Sequence, residues 1–195
     1  MPRTIYFTAS SLDGFIADAN NNLDWLLQFE GDDEGAYDGL IENTGAVVMG
    51  STTYEWLLDN HIHPDSDSPN PWPYEQPTWV FTSRKLNGIP GADIRFAGGD
   101  VRPVYDKILQ VVGDKNIWMV GGGELAGAFH DEGLLDELII SVAPVTLGGG
   151  APLLPRRIAG PHLKLISAKS WGEGFVTIHY EVPKPKAGRP ESRAT

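Results

Sequence analysis

Two short apolar segments of this chain each run directly into a turn of small residues that opens a helical pattern. The first is Val47-Val48-Met49 with the turn Gly50-Ser51-Thr52-Thr53, and the second is Trp118-Met119-Val120 with the turn Gly121-Gly122-Gly123. A continuous apolar run of this length is typical of a strand that is buried on both faces. Such a strand needs helices on both sides of its sheet, so the pattern favours a layered α/β domain.

The rest of the chain continues this alternation of strands and helices. We predict strands at 3–9, 46–49, 78–82, 93–97, 116–120 and 135–143, and a C-terminal hairpin of strands at 162–170 and 174–182. Helices are predicted at 33–44, 51–58, 100–112 and 124–130, and the segments 10–24 and 60–77 are predicted to be loops. We expect one domain over residues 1–183 and a disordered tail at 184–195, which is rich in Pro, Lys and Arg.

Composition narrows the classes of function. With 195 residues, 41% of them hydrophobic, the chain can bury one sizeable core. Its net charge of −11 repels phosphodiester backbones, so we expect no nucleic-acid partner, and an anionic ligand would need local donors. The chain has no cysteine, no apolar run of membrane-spanning length and no signal-like start, so a cytoplasmic protein without membrane contact is expected. His61 and His63 lie in a proline-rich loop without a further ligand pair, and no metal site is predicted.

The corners between strand and helix are candidate phosphate sites. The first N–H groups of a helix have no intrahelical partner, and the helix dipole favours an anion there. A third segment, Thr82-Ser83-Arg84-Lys85, follows a predicted strand and offers hydroxyls and a guanidinium to an isolated phosphate. Each of these has a plainer alternative, because glycines often only shape a turn and surface cations are often solvated. Neither glycine corner has the spacing of a dinucleotide fingerprint or a P-loop.

Five segments of the chain carry a family pattern in their order and spacing. They are Ala9-Ser10-Ser11-Leu12-Asp13-Gly14-Phe15-Ile16-Ala17 with Leu23-Asp24-Trp25, Val48-Met49-Gly50-Ser51-Thr52-Thr53-Tyr54-Glu55, Pro77-Thr78-Trp79-Val80-Phe81-Thr82-Ser83-Arg84, Val120-Gly121-Gly122-Gly123-Glu124-Leu125 and Pro144-Val145-Thr146-Leu147-Gly148-Gly149-Gly150-Ala151-Pro152-Leu153. Together they resemble the dihydrofolate reductase-like superfamily. The likeness is closer to the reductase domain of the riboflavin-biosynthesis deaminase/reductase and its stand-alone relatives, over roughly residues 3–182.

The resemblance implies a three-layer α/β/α sandwich with a central mixed, mostly parallel sheet and a C-terminal hairpin. It also implies NADPH as the hydride donor, a small heterocyclic substrate and a homodimer. The cofactor-binding residues that it implies are Ala9 and Ile16 at the nicotinamide, Gly50, Thr52 and Thr53 at the pyrophosphate, Ser83 and Arg84 at the adenosine phosphate, Gly121, Gly122, Gly123, Glu124 and Leu125 on the other side of the cofactor, and Ser51 in the turn after Gly50. Relatives commonly carry Arg or Lys where this chain has Ser51, so a preference for NADPH over NADH rests on Arg84 and Lys85.

The substrate end is less well defined. Counting back from Gly50 places Glu34, with Asp32 and Asp33 beside it, near the carboxylate that holds the pterin in dihydrofolate reductases. Acidic residues are also expected in a first helical turn because of the dipole. Asp13 is an alternative polar anchor, or simply a turn residue before glycine. Trp72 and Tyr74 are candidates for the mouth of the site.

The reaction that the resemblance favours is that of 5-amino-6-(5-phosphoribosylamino)uracil reductase. A phosphoribosyl substrate calls for cations near the site, and the sequence offers Arg95, Arg102, Arg156 and Arg157 without placing them. Dihydrofolate reduction is the second candidate. A non-catalytic nucleotide-binding module of the same fold is the third.

Overall fold

The structure is a computed structural model that describes residues 1–29 and 36–184. The strands are β1 (Thr4–Ser10), β2 (Phe15–Ala17), β3 (Thr44–Gly50), β4 (Thr78–Phe81), β5 (Ile94–Ala97), β6 (Asn116–Gly121), β7 (Glu137–Val142), β8 (Ala151–Pro152), β9 (Lys164–Trp171) and β10 (Phe175–Glu181). The helices are α1 (Asp24–Leu27), α2 (Ala36–Glu42), α3 (Ser51–Leu57), α4 (Val101–Leu109) and α5 (Gly123–Asp131). Within the described ranges, no helix is long and apolar enough to cross a bilayer.

Eight strands form one sheet in the order β5-β4-β3-β6-β1-β7-β10-β9. The six strands from β5 to β7 pair in parallel, whereas β10 pairs antiparallel with both β7 and β9. The C-terminal hairpin therefore extends a parallel sheet at its edge. This arrangement confirms the predicted mixed, mostly parallel sheet and the predicted hairpin.

Consecutive residues of β3 enter two different cores, which makes the domain three layers thick. Val48 packs with Val104 of α4 and Phe129 of α5, while Val47 packs with Tyr54 of α3 on the opposite face. Val47 and Val48 are both fully buried. Neighbouring side chains of a strand point to opposite faces, so a strand between two helical layers must be apolar throughout. The apolar run at 47–49 therefore correctly predicted a strand that is buried on both faces.

The element boundaries differ from the predicted ones in several places. Helix α4 ends at Leu109 rather than at 112, and the chain then turns through Gln110 to Gly113, where Gly113 has a positive φ of 63°. Helix α3 passes directly into a π-helical turn at Leu58–Ile62. The predicted loop 10–24 contains β2, which pairs antiparallel with β8. Strands of two or three residues carry no readable periodicity, so this small sheet was not predicted.

Two predicted features lie outside the described residues. The start of the helix predicted at 33–44, which contains Asp32, Asp33 and Glu34, falls in the segment 30–35. The tail from 185 to 195 is the other.

Candidate functional site

A cleft of about 440 Å³ opens at the carboxyl end of the parallel strands. Such an edge is where open α/β sheets bind ligands, and the volume lies in the range of small-molecule sites. Its lining residues are Thr8, Ile16, Ala17, Asn21, Leu23, Thr52, Thr53, Trp56, Leu57, Tyr74, Val120, Gly121, Gly122, Gly123, Glu124, Ala151 and Pro152. Seven of the predicted cofactor-binding residues are in this set, namely Ile16, Thr52, Thr53, Gly121, Gly122, Gly123 and Glu124.

The two glycine corners meet in this cleft because β3 and β6 are neighbours in the sheet. Met49 of β3 is paired with Gly121 of β6, so α3 and α5 begin side by side. A Cβ at Gly121 would lie 2.9 Å from Oγ1 of Thr53, closer than side chains tolerate. The glycine therefore lets the first turn of α3 approach β6.

The beginning of α5 faces both the cleft and the strand β8. Its N-cap is Gly122, which has no side chain to accept hydrogen bonds from the first-turn N–H groups. A Cβ on Gly122 would meet no atom within 4 Å, whereas one on Gly123 would lie 2.7 Å from the carbonyl oxygen of Leu153. Gly122 thus borders open space and Gly123 borders backbone. The peptide bond between Gly121 and Gly122 is cis.

The α3 corner is built in a similar way. Its N-cap is Gly50, in an extended conformation, and again no side chain caps the first turn. Thr52 and Thr53 place their side chains at the cleft. First-turn amides without a side-chain cap, together with threonine hydroxyls, form an environment that suits an anion.

Arg84 lies beside the α3 corner but is already bound. Its guanidinium donates hydrogen bonds to both carboxylate oxygens of Glu55, at 2.8 and 2.5 Å, and to the Ser51 hydroxyl at 3.0 Å. The Arg84 backbone N–H bonds to Oγ1 of Thr82. The structure therefore brings Ser51 and Arg84 together, as a shared phosphate site requires, but it gives the guanidinium a carboxylate partner. Neither Arg84 nor Ser83 lines the cleft.

Asp13 joins two loops on the other side of the cleft. Its carboxylate accepts hydrogen bonds from the Ser11 hydroxyl at 2.6 Å and from the backbone N–H groups of Leu147 and Gly148 at 3.0 and 2.7 Å. The Ser11 hydroxyl bond, and then these backbone bonds, lower the pKa of Asp13 to about 2. The carboxyl group is therefore ionised at neutral pH and has no proton to donate. This geometry favours a loop-positioning role, and a catalytic role for Asp13 stays a prediction.

Two of the predicted cofactor-binding residues, Ala9 and Leu125, do not line the cleft. Ala9 is near the end of β1 and pairs with Ser141 of β7. Leu125 is partly buried and packs against the larger core. Glu124 reaches the cleft, but its carboxylate accepts a hydrogen bond from Arg156 at 3.0 Å. Glu34 cannot be placed, since it is outside the described residues.

Tyr74 forms the aromatic wall of the cleft, as its loop position suggested. Its ring makes edge contacts with Trp118 and Trp72, at centroid distances of 5.4 and 5.5 Å. Burial, and then the neighbouring Tyr37, raise the pKa of the Tyr74 phenol above its ordinary value. Within residues 1–29 and 36–184, the hydroxyl has no hydrogen-bond partner. A neutral phenol held by two indoles thus presents an unused donor at the cleft.

Some lining residues had no sequence signal. Thr8 and Pro152 come from β1 and β8, which are more than 140 residues apart in the chain and meet only in the fold. Trp56 was visible as an aromatic residue of a predicted helix, but nothing local indicated which face it occupies. A tryptophan at such a position is more often a core residue.

Comparison with known proteins shows which family has this architecture. The family model described as the RibD C-terminal domain matches residues 2–177. The uncharacterized protein YwjB of Bacillus subtilis (strain 168) is 34% identical over 179 residues, which cover 91% of this chain and 97% of that protein.

Two solved structures are also similar. The crystal structure of a putative riboflavin biosynthesis protein from Shewanella sp. PV-4 has a TM-score of 0.75 and 27% identity, and the match covers 92% of this chain and 98% of that one. Dihydrofolate reductase from Enterococcus faecalis, complexed with NADP(H) and RAB-propyl, has a TM-score of 0.61 at 15% identity over 92% and 95% of the two chains. The second likeness shows the fold alone, and it confirms the predicted fold class.

Proposed function

Since this chain belongs to the RibD C-terminal domain family, we propose that it is an NADPH-dependent reductase that transfers a hydride to a small molecule with a pyrimidine- or pterin-like ring. The observation that carries the proposal is the cleft itself. Two uncapped helix corners and one aromatic wall face the same space of about 440 Å³. One side suits a dinucleotide phosphate and the other a planar ring.

The residues at the glycine corners fit a dinucleotide. Gly122 leaves open space in front of the first-turn N–H groups of α5, so a phosphate can approach the backbone. Thr52 and Thr53 add hydroxyl donors from the facing helix. Ile16 of β2 supplies an apolar surface for a planar ring. These local donors offset a net charge of −11, which by itself opposes an anionic cofactor. When bound, NADPH supplies the hydride.

The aromatic wall fits the substrate ring. Tyr74 retains its proton at neutral pH and can donate a hydrogen bond to a carbonyl oxygen or ring nitrogen of the ligand. Trp56 and Leu57 add apolar surface beside it. Asp13 holds the loop before β2 against the loop at 147–148, which keeps β2 over the cleft and excludes water.

Fluorescence titration with NADPH tests the proposal. We expect the purified protein to shift NADPH emission, and the double variant Thr52→Ala with Thr53→Ala to bind about tenfold more weakly, which corresponds to about 1.4 kcal/mol. Ser170→Ala is a matched control, because this exposed residue of β9 loses a similar hydroxyl far along the sheet from the cleft. Absence of binding at millimolar NADPH would overturn the proposal.

Turnover then separates the candidate reactions. NADPH oxidation is measured with 5-amino-6-(5-phosphoribosylamino)uracil and, separately, with dihydrofolate. Reduction of the aminouracil supports the riboflavin-type reaction, and reduction of dihydrofolate supports the second candidate. Tight NADPH binding without turnover of any ring compound would support a nucleotide-binding module, a reading favoured by the engagement of Asp13 in loop contacts.

A further inference from the structure

A second, more polar groove of about 910 Å³ adjoins the cleft. It lies between the loop at 20–24, the outer face of α3 and the loop at 85–87. Its lining residues are Asn20, Asn21, Asn22, Asp24, Thr52, Glu55, Trp56, Leu58, Asp59, Asn60, Lys85, Leu86 and Asn87. Asn21, Thr52 and Trp56 line both spaces, so a ligand in the cleft can extend into the groove.

The charged residues of this groove are mostly acidic. The lining residues include three acidic side chains, Asp24, Glu55 and Asp59, and one basic side chain, Lys85. Glu55 is paired with Arg84, which leaves Asp24 and Asp59 against Lys85. The groove is therefore net negative, and a doubly charged phosphate ester would be repelled in it.

The arginines that a phosphorylated substrate would need are engaged elsewhere. Arg95 pairs with Asp93 at 2.7 Å, Arg102 with Glu132 at 3.5 Å, and Arg156 with both Glu124 and Asp131 at 3.0 and 2.8 Å. None of these arginines, nor Arg157, lines the cleft or the groove. The sequence could not place these four arginines, and the tertiary structure places them outside both the cleft and the groove.

Most of the uncharged polar residues that line the groove are asparagines. The side chains of Asn20 and Asn21 on one wall and Asn87 on the other make no hydrogen bond to the described part of the chain. Each amide offers two N–H donors and one carbonyl acceptor, which complement the donor and acceptor of a hydroxyl group. A polyhydroxylated ligand can bridge these walls without bringing a charge.

We propose that this groove binds the hydroxyl-rich, unphosphorylated tail of the substrate and discriminates against the corresponding phosphate ester. The inference rests on the proposed reductase function and narrows its substrate class. It departs from the phosphoribosyl substrate that the family resemblance implies. The ring lies in the cleft against Tyr74, and the sugar passes Trp56 into the groove.

A paired substrate assay tests this inference. The probes are 5-amino-6-(5-phosphoribosylamino)uracil and the product of its treatment with phosphatase, each assayed by NADPH oxidation at low and high salt. We expect kcat/KM to be about tenfold higher for the dephosphorylated compound at low salt, and the ratio to shrink at high salt because screening weakens the repulsion. The double variant Asp24→Asn with Asp59→Asn should bring the ratio to about threefold or less.

The control is Asp93→Asn, which removes a similar surface carboxylate outside both spaces and should leave the ratio unchanged. A preference for the phosphorylated compound overturns the inference, and so does a ratio that neither the double variant nor salt alters. NADPH binding without turnover of either compound also overturns it. Failure to bind NADPH at all would instead overturn the proposed function.

Discussion

Gly123→Ala tests the contact on which the wall of the cleft depends. The new Cβ would lie 2.7 Å from the carbonyl oxygen of Leu153 and still closer to that of Pro152, where ordinary contact begins at 3.4 Å. The Leu153 carbonyl must therefore move by about 0.7 Å to reach ordinary contact, and the Pro152 carbonyl must move further. It is held in place, because Leu153 N–H donates to the Gly14 carbonyl at 2.9 Å and the Tyr6 hydroxyl donates to the Leu153 carbonyl at 3.1 Å. Overpacking against fixed backbone costs about 1–3 kcal/mol.

The matched control is Gly50→Ala, the same substitution at the other corner. A Cβ there meets no atom within 4 Å, and the backbone φ of −81° is open to alanine. We expect its free energy of unfolding to stay within about 0.5 kcal/mol of wild type. For a domain of this size, a loss of about 2 kcal/mol in Gly123→Ala lowers Tm by about 4–8 °C.

Thermal unfolding followed by circular dichroism, with urea titration as a second measure, distinguishes the two variants. A Tm of Gly123→Ala within about 1 °C of wild type would refute the steric argument. An equal loss in both variants would refute it as well, because the effect would then belong to any glycine at a helix start.

Two further predictions concern polar groups around the cleft. Tyr74→Phe should lower kcat/KM about three- to tenfold, because it removes one neutral hydrogen bond to the ligand, and it should leave Tm unchanged. The control is Tyr180→Phe, which lies in β10. An equal loss of kcat/KM in both variants would contradict the role of Tyr74. Because the folded-state pKa of Asp13 is depressed from 3.8 to about 2, its loop contacts are fully present above pH 3.8 and are lost as the pH falls through about 2. In hydrogen exchange, wild type should keep the Leu147 and Gly148 amides protected at pH 4, whereas Asp13→Ala, which removes both acceptor oxygens, should expose them even at pH 7. Equal protection of wild type and variant at pH 7 would count against the loop contact.

Local pattern was sufficient for the elements and for their layering. Val47 and Val48 are adjacent and both apolar, which predicts burial on two faces whatever the partners are. The glycines after β3 and β6 predicted two strand-to-helix corners for the same reason, since such a turn depends on a few neighbouring residues. Parallel pairing then places the carboxyl ends of the parallel strands at one edge of the sheet, so a site at that edge was predictable.

Roles that depend on distant partners were not predictable in this way. Asp13 was predicted to be either a polar anchor of the site or a turn residue before glycine, and its partners Leu147 and Gly148 are more than 130 positions away. Arg84 read as a phosphate ligand, but its pairing with Glu55 depends on how α3 packs beside β4. The homodimer, the cytoplasmic location and the role of Glu34 stay predictions.

The amino-acid order alone was enough to predict a layered α/β domain with two glycine-containing corners between strand and helix, because periodicity, apolar runs and turn residues act over a few neighbours. The charge and the hydrogen-bonding character of the space beside those corners emerged only on folding. Contacts between segments that lie far apart in the chain decide which arginines are paired with carboxylates. They also decide which amides and which phenol remain without a hydrogen-bond partner in the described part of the chain.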